Sequence, residues 1–116
     1  MILPEIISLI HKGDYGSAVS LLEHEVSDKS KPVLERVEYC NWLAECYQKL
    51  DDNKISGDWY LEAVKTILSQ KIDTKVKAKQ ALPSCEKALE RYRIGGDAID
   101  VLEAAKLKEK LIALSK

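Results

Sequence analysis

The chain has 116 residues, of which 46% are apolar (AVILMFWYC) and 32% are charged, a mixture that supplies one hydrophobic core and excludes an intrinsically disordered chain. The formal net charge of -1 gives no overall attraction to nucleic acid or to an anionic membrane, and the apolar runs fall far short of the roughly 20 residues that cross a bilayer. Abundant Leu, Ala, Glu and Lys favour helix over strand. We therefore expect residues 1–116 to form a single all-α domain, with neither nucleic acid nor membrane as a partner.

The first two predicted helices form a hairpin. Isoleucine and leucine side chains at helical spacing predict a helix from about Leu3 to Lys12, with Pro4 in its first turn. Gly13 and Asp14 end this helix, and a second one follows over about residues 15–26.

A long third helix is predicted from about Pro32 to Leu50, and Ser27 or Ser30 is a candidate cap for it. Residues 51–57 have the composition of a loop throughout. We expect the fourth helix to run from about Asp58 to Gln70.

The fifth predicted helix is interrupted by a proline. Asp73 or Thr74 is expected to cap it, and its apolar pattern continues to about Arg93. Pro83 removes a backbone hydrogen bond and clashes with the preceding turn, so the helix should kink or be split near Leu82.

A sixth helix follows Gly95 and Gly96, which are expected to end the fifth. Asp97 is its predicted cap, and it runs to about Leu114. Its expected apolar face consists of Val101, Leu102, Ala105 and Ile112. The six helices therefore predict three antiparallel helical hairpins.

The three cysteines are expected to be reduced. With three cysteines, Cys40, Cys46 and Cys85, complete pairing within one chain is impossible, and none of them belongs to a C-x-x-C unit. The segment Met1–Glu5 has none of the features of a secretory signal. Both observations predict a cytoplasmic protein.

No residue pattern predicts a catalytic or metal site. His11 and His24 lack a second ligand at metal-binding spacing, and Gly95-Gly96 lacks the rest of a phosphate-binding motif. Carboxylates such as Glu23 and Glu25 are near in sequence but diverge on a helix. We expect no catalytic residue, no metal and no cofactor.

Charge is distributed unevenly along the chain. Residues 1–58 contain 6 Lys/Arg and 11 Asp/Glu, whereas residues 59–116 contain 12 and 8. Lysines alternate with other residues in two runs, over residues 75–79 and 106–110. Each run has two readings, a basic patch for an acidic partner or an ordinary solvated helix face.

Several short patterns resemble the tetratricopeptide repeat family. Gly13-Asp14-Tyr15, with Ala18 and Leu22, is similar to the turn and second helix of such a repeat, and Leu43-Ala44 with Tyr47 is similar to a first helix. Gly57-Asp58-Trp59 with Ala63 and Ile67, and Gly96 with Ala98, Leu102 and Ala105, resemble further second halves.

The resemblance implies a short right-handed superhelix of stacked hairpins. Ala63 follows Leu43 by 20 residues, where about 13 is usual in the family, so the second hairpin is expected to carry about seven extra residues.

In that family the first helix of each hairpin lines a concave groove, and the resemblance therefore implies which residues bind a partner. On the third helix these are Glu38, Asn41, Glu45 and Gln48, with Lys49 beside them. On the fifth helix they are Glu86, Glu90 and Arg93, with Lys87 nearby.

The implied function is a non-enzymatic adaptor or scaffold that binds a peptide or helix of another protein. The alternative is a structural helical subunit that self-associates or joins a larger complex, which makes a homo-oligomer possible. Apolar residues of the last helix would provide that contact: Leu107, Leu111, Ile112 and Leu114.

Overall fold

The computed structural model describes residues 3–116, and every regular element in that range is an α-helix. The all-α prediction is therefore confirmed, with each helix packed against the next in the chain. The helices are α1 Pro4–His11, α2 Tyr15–Val26, α3 Val33–Lys49, α4 Asn53–Leu68, α5 Thr74–Gly95 and α6 Ala98–Leu114.

Gly13 and Asp14 lie in the turn between α1 and α2, where the first helix was predicted to end. Gly13 adopts a φ of 79°, a conformation that side chains with a Cβ rarely adopt. The carboxylate of Asp14 then accepts a hydrogen bond from the Ser17 N–H at 3.3 Å and caps α2.

The predicted loop over residues 51–57 is wrong for most of its length, because α4 already begins at Asn53. Asp52 caps it by accepting a hydrogen bond from the Ile55 N–H at 3.2 Å. Asp51, with a φ of 64°, reverses the chain between the two helices. Residues 53–57 of the predicted loop are therefore part of the first two turns of α4.

Burial explains why this polar sequence is helical. Ser56 is fully buried, and its hydroxyl donates a hydrogen bond to the Ala44 carbonyl oxygen at 2.7 Å. Gly57 lies directly against the ring of Tyr92. Serine and glycine, typical of loops, are here the small residues that allow α4 to approach α3 and α5 closely.

Pro83 does not split α5, which runs as one helix from Thr74 to Gly95. The proline is exposed, so the Lys79 carbonyl that it leaves without a helical N–H lies at the solvent-facing side, where water can bind it. The predicted cap Asp73 is confirmed by a 3.1 Å hydrogen bond from the Val76 N–H.

The cap of α3 differs from the prediction. Pro32 is its N-cap residue and makes no side-chain hydrogen bond. The Ser27 hydroxyl donates to the His24 carbonyl oxygen at 2.7 Å, and the Ser30 hydroxyl donates to Asp28 at 2.5 Å. Both serines are therefore engaged within the α2–α3 connection.

The buried face of α6 is rotated from the predicted one. Ala104 and Leu111 are fully buried, whereas Leu102 is 53% exposed and Ile112 is exposed as well. The capping box between Asp97 and Asp100 starts the helix as expected. Contacts with α5, among them that of the Cys85 thiol with the Ala104 carbonyl oxygen at 3.6 Å, place the Ala104 face inward.

Candidate interaction surface

The residues predicted on α3 lie along one side of that helix. Glu38 and Asn41 are half-buried, and Glu45 and Gln48 are exposed. Spacings of three and four residues align them along about three turns. Lys49 is exposed at the C-terminal end of the same helix.

A contact between α3 and α5 sets the level at which the two helices meet. The Ser84 hydroxyl on α5 donates a hydrogen bond to Oδ1 of Asn41 at 3.3 Å. Residues after Asn41 on α3 therefore lie level with residues after Ser84 on α5, since both helices run in the same direction along the stack. We call the face formed by these two helices the α3–α5 surface.

The first of two depressions on this surface has a volume of about 390 Å³. Its walls combine an exposed aliphatic side chain, Leu34 at 66% exposure, with the half-buried ring of Trp42. The predicted residues Glu38, Asn41 and Glu45 line the same depression. An apolar group with a cationic neighbour is the ligand that such a mixed wall complements.

The second depression, of about 360 Å³, continues from the first because Glu45 lines both. Four predicted residues meet here: Glu45, Gln48, Lys49 and Glu90. Lys87, which was expected near the predicted residues, also lines it, together with Tyr60 and Arg91, which no sequence pattern indicated.

Charges in the second depression are closely coupled to its aromatic wall. The Lys87 ammonium lies 5.8 Å from the centre of the Tyr60 ring. Burial, followed by the charge of Glu45, raises the pKa of Tyr60 to about 12. Arg91 donates hydrogen bonds to Asn53 at 3.1 Å and to Glu90 at 2.8 Å, so its guanidinium is held between α4 and α5.

Two predicted residues do not join these depressions. Glu86 forms an ion pair with Lys108 of α6 at 3.6 Å, on the side of α5 that faces away from α3. Arg93 is exposed but lines neither depression. The side of α5 predicted to bind a partner is therefore about a quarter of a turn away from the side that carries Lys87 and Arg91. The spacing of four residues between these two basic side chains was the signal that could have located the correct side.

A third pocket, of about 380 Å³, lies on the opposite side of α3, between α2 and α4. From α3 it is lined by Arg36 and Cys40, which stand about 180° and about 140° around the helix from Glu45. Trp59 lines it together with charged residues of both signs. No sequence motif indicated this pocket, because its lining comes from three helices at unrelated spacings.

Metal-ligand clusters and the state of the cysteine thiols were the remaining features of interest in the described residues. Within residues 3–116 no group of three or more His, Cys, Asp or Glu side chains is arranged to hold a metal ion. Burial raises the pKa of the Cys40 thiol to about 12 and that of Cys46 and Cys85 to about 11, so each thiol is held in its unreactive protonated form.

None of the helices over residues 3–116 combines the length and the apolar character needed to cross a membrane. Comparisons of the chain with protein-family models, curated proteins and solved structures give no match.

Proposed function

We propose that this protein is a non-enzymatic interaction module that binds a segment of another protein along the α3–α5 surface. The observation that carries the proposal is the pair of adjoining depressions, which share Glu45 and contain seven of the residues expected to bind a partner or to lie beside them. An aliphatic and aromatic anchor next to fixed charges is a typical recognition site for a peptide.

We further propose that the three hairpins are degenerate tetratricopeptide-like repeats. The early start of α4 supports this, because Ser56 follows Leu43 by 13 residues, the spacing that is usual for the small residue of the second helix. Its hydrogen bond to Ala44 lies at the crossing of α3 and α4, where the family pattern requires small side chains. The free, buried state of all three cysteines supports the cytoplasm as the site of action.

The test is charge reversal on the surface. A partner is first captured with the purified protein as bait, and its affinity is then measured for the wild type and for Glu38→Lys/Glu45→Lys. We expect the double variant to change the dissociation constant by about five- to 100-fold, weaker for a basic partner segment and stronger for an acidic one.

The matched control is Glu103→Lys/Glu109→Lys, which changes the net charge equally at two exposed positions of α6. Glu23 is unsuitable as a control, because its carboxylate accepts a hydrogen bond from the Tyr47 hydroxyl at 2.9 Å. If the two double variants bind alike while circular dichroism shows both folded, the α3–α5 surface is not the contact surface.

Self-association is the second candidate, and the structure changes the residues on which it would depend. Leu111 is fully buried and Leu107 is partly buried, so they stabilise the core, whereas Ile112 and Leu114 are 36% and 37% exposed. The exposed apolar side chains near the α5–α6 turn are Ile94 at 61% and Ile99 at 66%. This function would be favoured if the molecular mass of the wild type rises with concentration while Ile94→Ser/Ile99→Ser stays monomeric.

A further inference from the structure

A second charged surface lies at the start of α5, outside the depressions already described. It consists of Lys71 and Ile72, which precede the helix, and of Lys75, Val76 and Lys79 in its first two turns, all exposed. Lys75 and Lys79 stand one turn apart on the same side of α5. We call these five residues the lysine surface.

The lysine surface lies in a stretch of the chain that has an excess of positive charge. Residues 63–85 contain five lysines and one acidic residue, Asp73, whose carboxylate caps α5. In the described part of the chain, ion pairs involve Lys31, Lys54, Arg91 and Lys108 but none of the three lysines of this surface. Their ammonium groups therefore remain available to a partner.

Two hydrogen bonds join the α4–α5 connection to the start of α5 next to these lysines. The Lys77 ammonium donates to the Gln70 carbonyl oxygen at 3.2 Å, and the Gln70 amide donates to Gln80 Oε1 at 3.3 Å. These bonds connect the end of α4 to the second turn of α5. A surface that is ordered before binding loses less conformational entropy when a partner arrives.

We infer that the lysine surface binds a short acidic segment of a protein, with aliphatic side chains interspersed among its carboxylates. The carboxylates would meet Lys71, Lys75 and Lys79, and the aliphatic groups would contact Ile72 and Val76, which are 42% and 46% exposed. Residues 1–58 contain 11 acidic and 6 basic residues, so a polyanion long enough to extend beyond α5, such as a nucleic acid or a membrane plane, would also meet the acidic half of the chain. A short segment is small enough to contact α5 alone.

The experiment uses a blocked, fluorescently labelled peptide of alternating glutamate and leucine as the probe, with its lysine–leucine counterpart as the peptide control. Anisotropy should show binding of the acidic probe that weakens as salt rises from about 0.05 M to about 0.3 M. Backbone amide shifts in NMR spectra should concentrate within residues 70–80. The variant Lys71→Glu/Lys75→Glu/Lys79→Glu should weaken binding at least about tenfold.

The matched variant Lys12→Glu/Arg93→Glu/Lys106→Glu changes the net charge equally at exposed positions outside residues 63–85 and should lose about threefold or less. Equal losses in the two triple variants, or amide shifts outside residues 70–80, would overturn the inference. So would binding to phosphatidylserine vesicles without binding to the acidic peptide. Glu38→Lys/Glu45→Lys should still bind the probe, so the lysine surface and the α3–α5 surface can fail independently.

Discussion

Two tyrosines connect neighbouring hairpins through their hydroxyl groups. Tyr47 of α3 donates a hydrogen bond to Glu23 of α2 at 2.9 Å, and Tyr92 of α5 donates one to Asp58 of α4 at 2.5 Å. In both cases the first helix of a hairpin is joined to the second helix of the preceding hairpin. These single contacts help to hold α3 against α2 and α5 against α4.

Gly57→Ala should lower the free energy of unfolding by about 1–3 kcal/mol, because the new Cβ would lie 2.5 Å from Cε1 of Tyr92. The ring cannot easily yield, since Tyr92 is buried and its hydroxyl is bonded to Asp58. Gly16→Ala is the control: nothing lies within 4 Å of its Cβ, and the gain in helix propensity should stabilise by about 0.5–1 kcal/mol. Urea unfolding followed by circular dichroism measures both, and equal changes would contradict the predicted contact.

Individual helices owe their limits to caps and to packing in different proportions. Four helices are capped by an aspartate carboxylate: α2 by Asp14, α4 by Asp52, α5 by Asp73 and α6 by Asp97. By contrast, α3 begins at Val33, and its N-cap residue Pro32 makes no side-chain hydrogen bond. The α3–α5 surface lies on one capped and one uncapped helix. The start of a capped helix should therefore be sensitive to mutation of its aspartate, whereas the start of α3 should be sensitive to mutation of the residues that pack against it.

Asp52→Ala should destabilise the protein by about 1 kcal/mol, because it removes the acceptor for the Ile55 N–H at the start of α4. Ser30→Ala is the comparison, because Ser30 was predicted to cap α3 from its residue type but does not cap it in the structure. Its exposed hydroxyl bonds to Asp28, so its loss should cost less than that of the Asp52 carboxylate. Thermal unfolding of both variants decides the order, and a larger cost at Ser30 would contradict the structure.

Pro83→Ala should raise the free energy of unfolding by about 1–3 kcal/mol. Alanine restores the N–H that can bond to the Lys79 carbonyl oxygen, and the exposed position loses no buried contact. Denaturant unfolding gives the change in stability, with Gln80→Ala as a surface control in the same helix. An unchanged or lower stability would mean that the proline shapes α5 in a way that alanine cannot reproduce.

At the scale of the whole molecule, buried thiols and phenols make stability sensitive to alkaline pH. Burial raises the pKa of Cys46 and Cys85 to about 11 and that of Cys40 and Tyr60 to about 12. Raised pKa values mean that the folded state retains protons that the unfolded chain releases. Their contribution to stability is complete below the ordinary thiol pKa and is lost as the pH rises through the folded values.

The free energy of unfolding should therefore stay level between pH 7 and pH 8 and fall above about pH 9, by at most about 1.4 kcal/mol per pH unit for each thiol. Urea titrations at pH 8, 9, 10 and 10.5 measure the slope. Cys40→Ala/Cys46→Ala/Cys85→Ala should begin from a lower stability but show a smaller slope between pH 9 and pH 10. A level free energy across this range would show that the thiols are accessible to water in the folded state.

Local patterns were sufficient for the fold class and for most of the helix limits. Helical spacing of apolar residues gave six helices, and the predicted caps Asp73 and Asp97 marked two starts correctly. These features depend on backbone propensity and on side chains within one turn, which are properties of neighbouring residues. The stripe over Glu38, Asn41, Glu45 and Gln48 was predictable for the same reason, once α3 was known to be helical.

Contacts between distant residues decided the rest. Loop composition over residues 51–57 was overridden because Ser56 and Gly57 fit under Ala44 and Tyr92, and local propensity contains no information about those neighbours. The buried side of α6 and the positions of Lys87 and Arg91 depend on how α5 rotates against α3, α4 and α6. A rotation of a helix about its axis changes which residues are exposed without changing its hydrogen bonds, so only tertiary packing can select it.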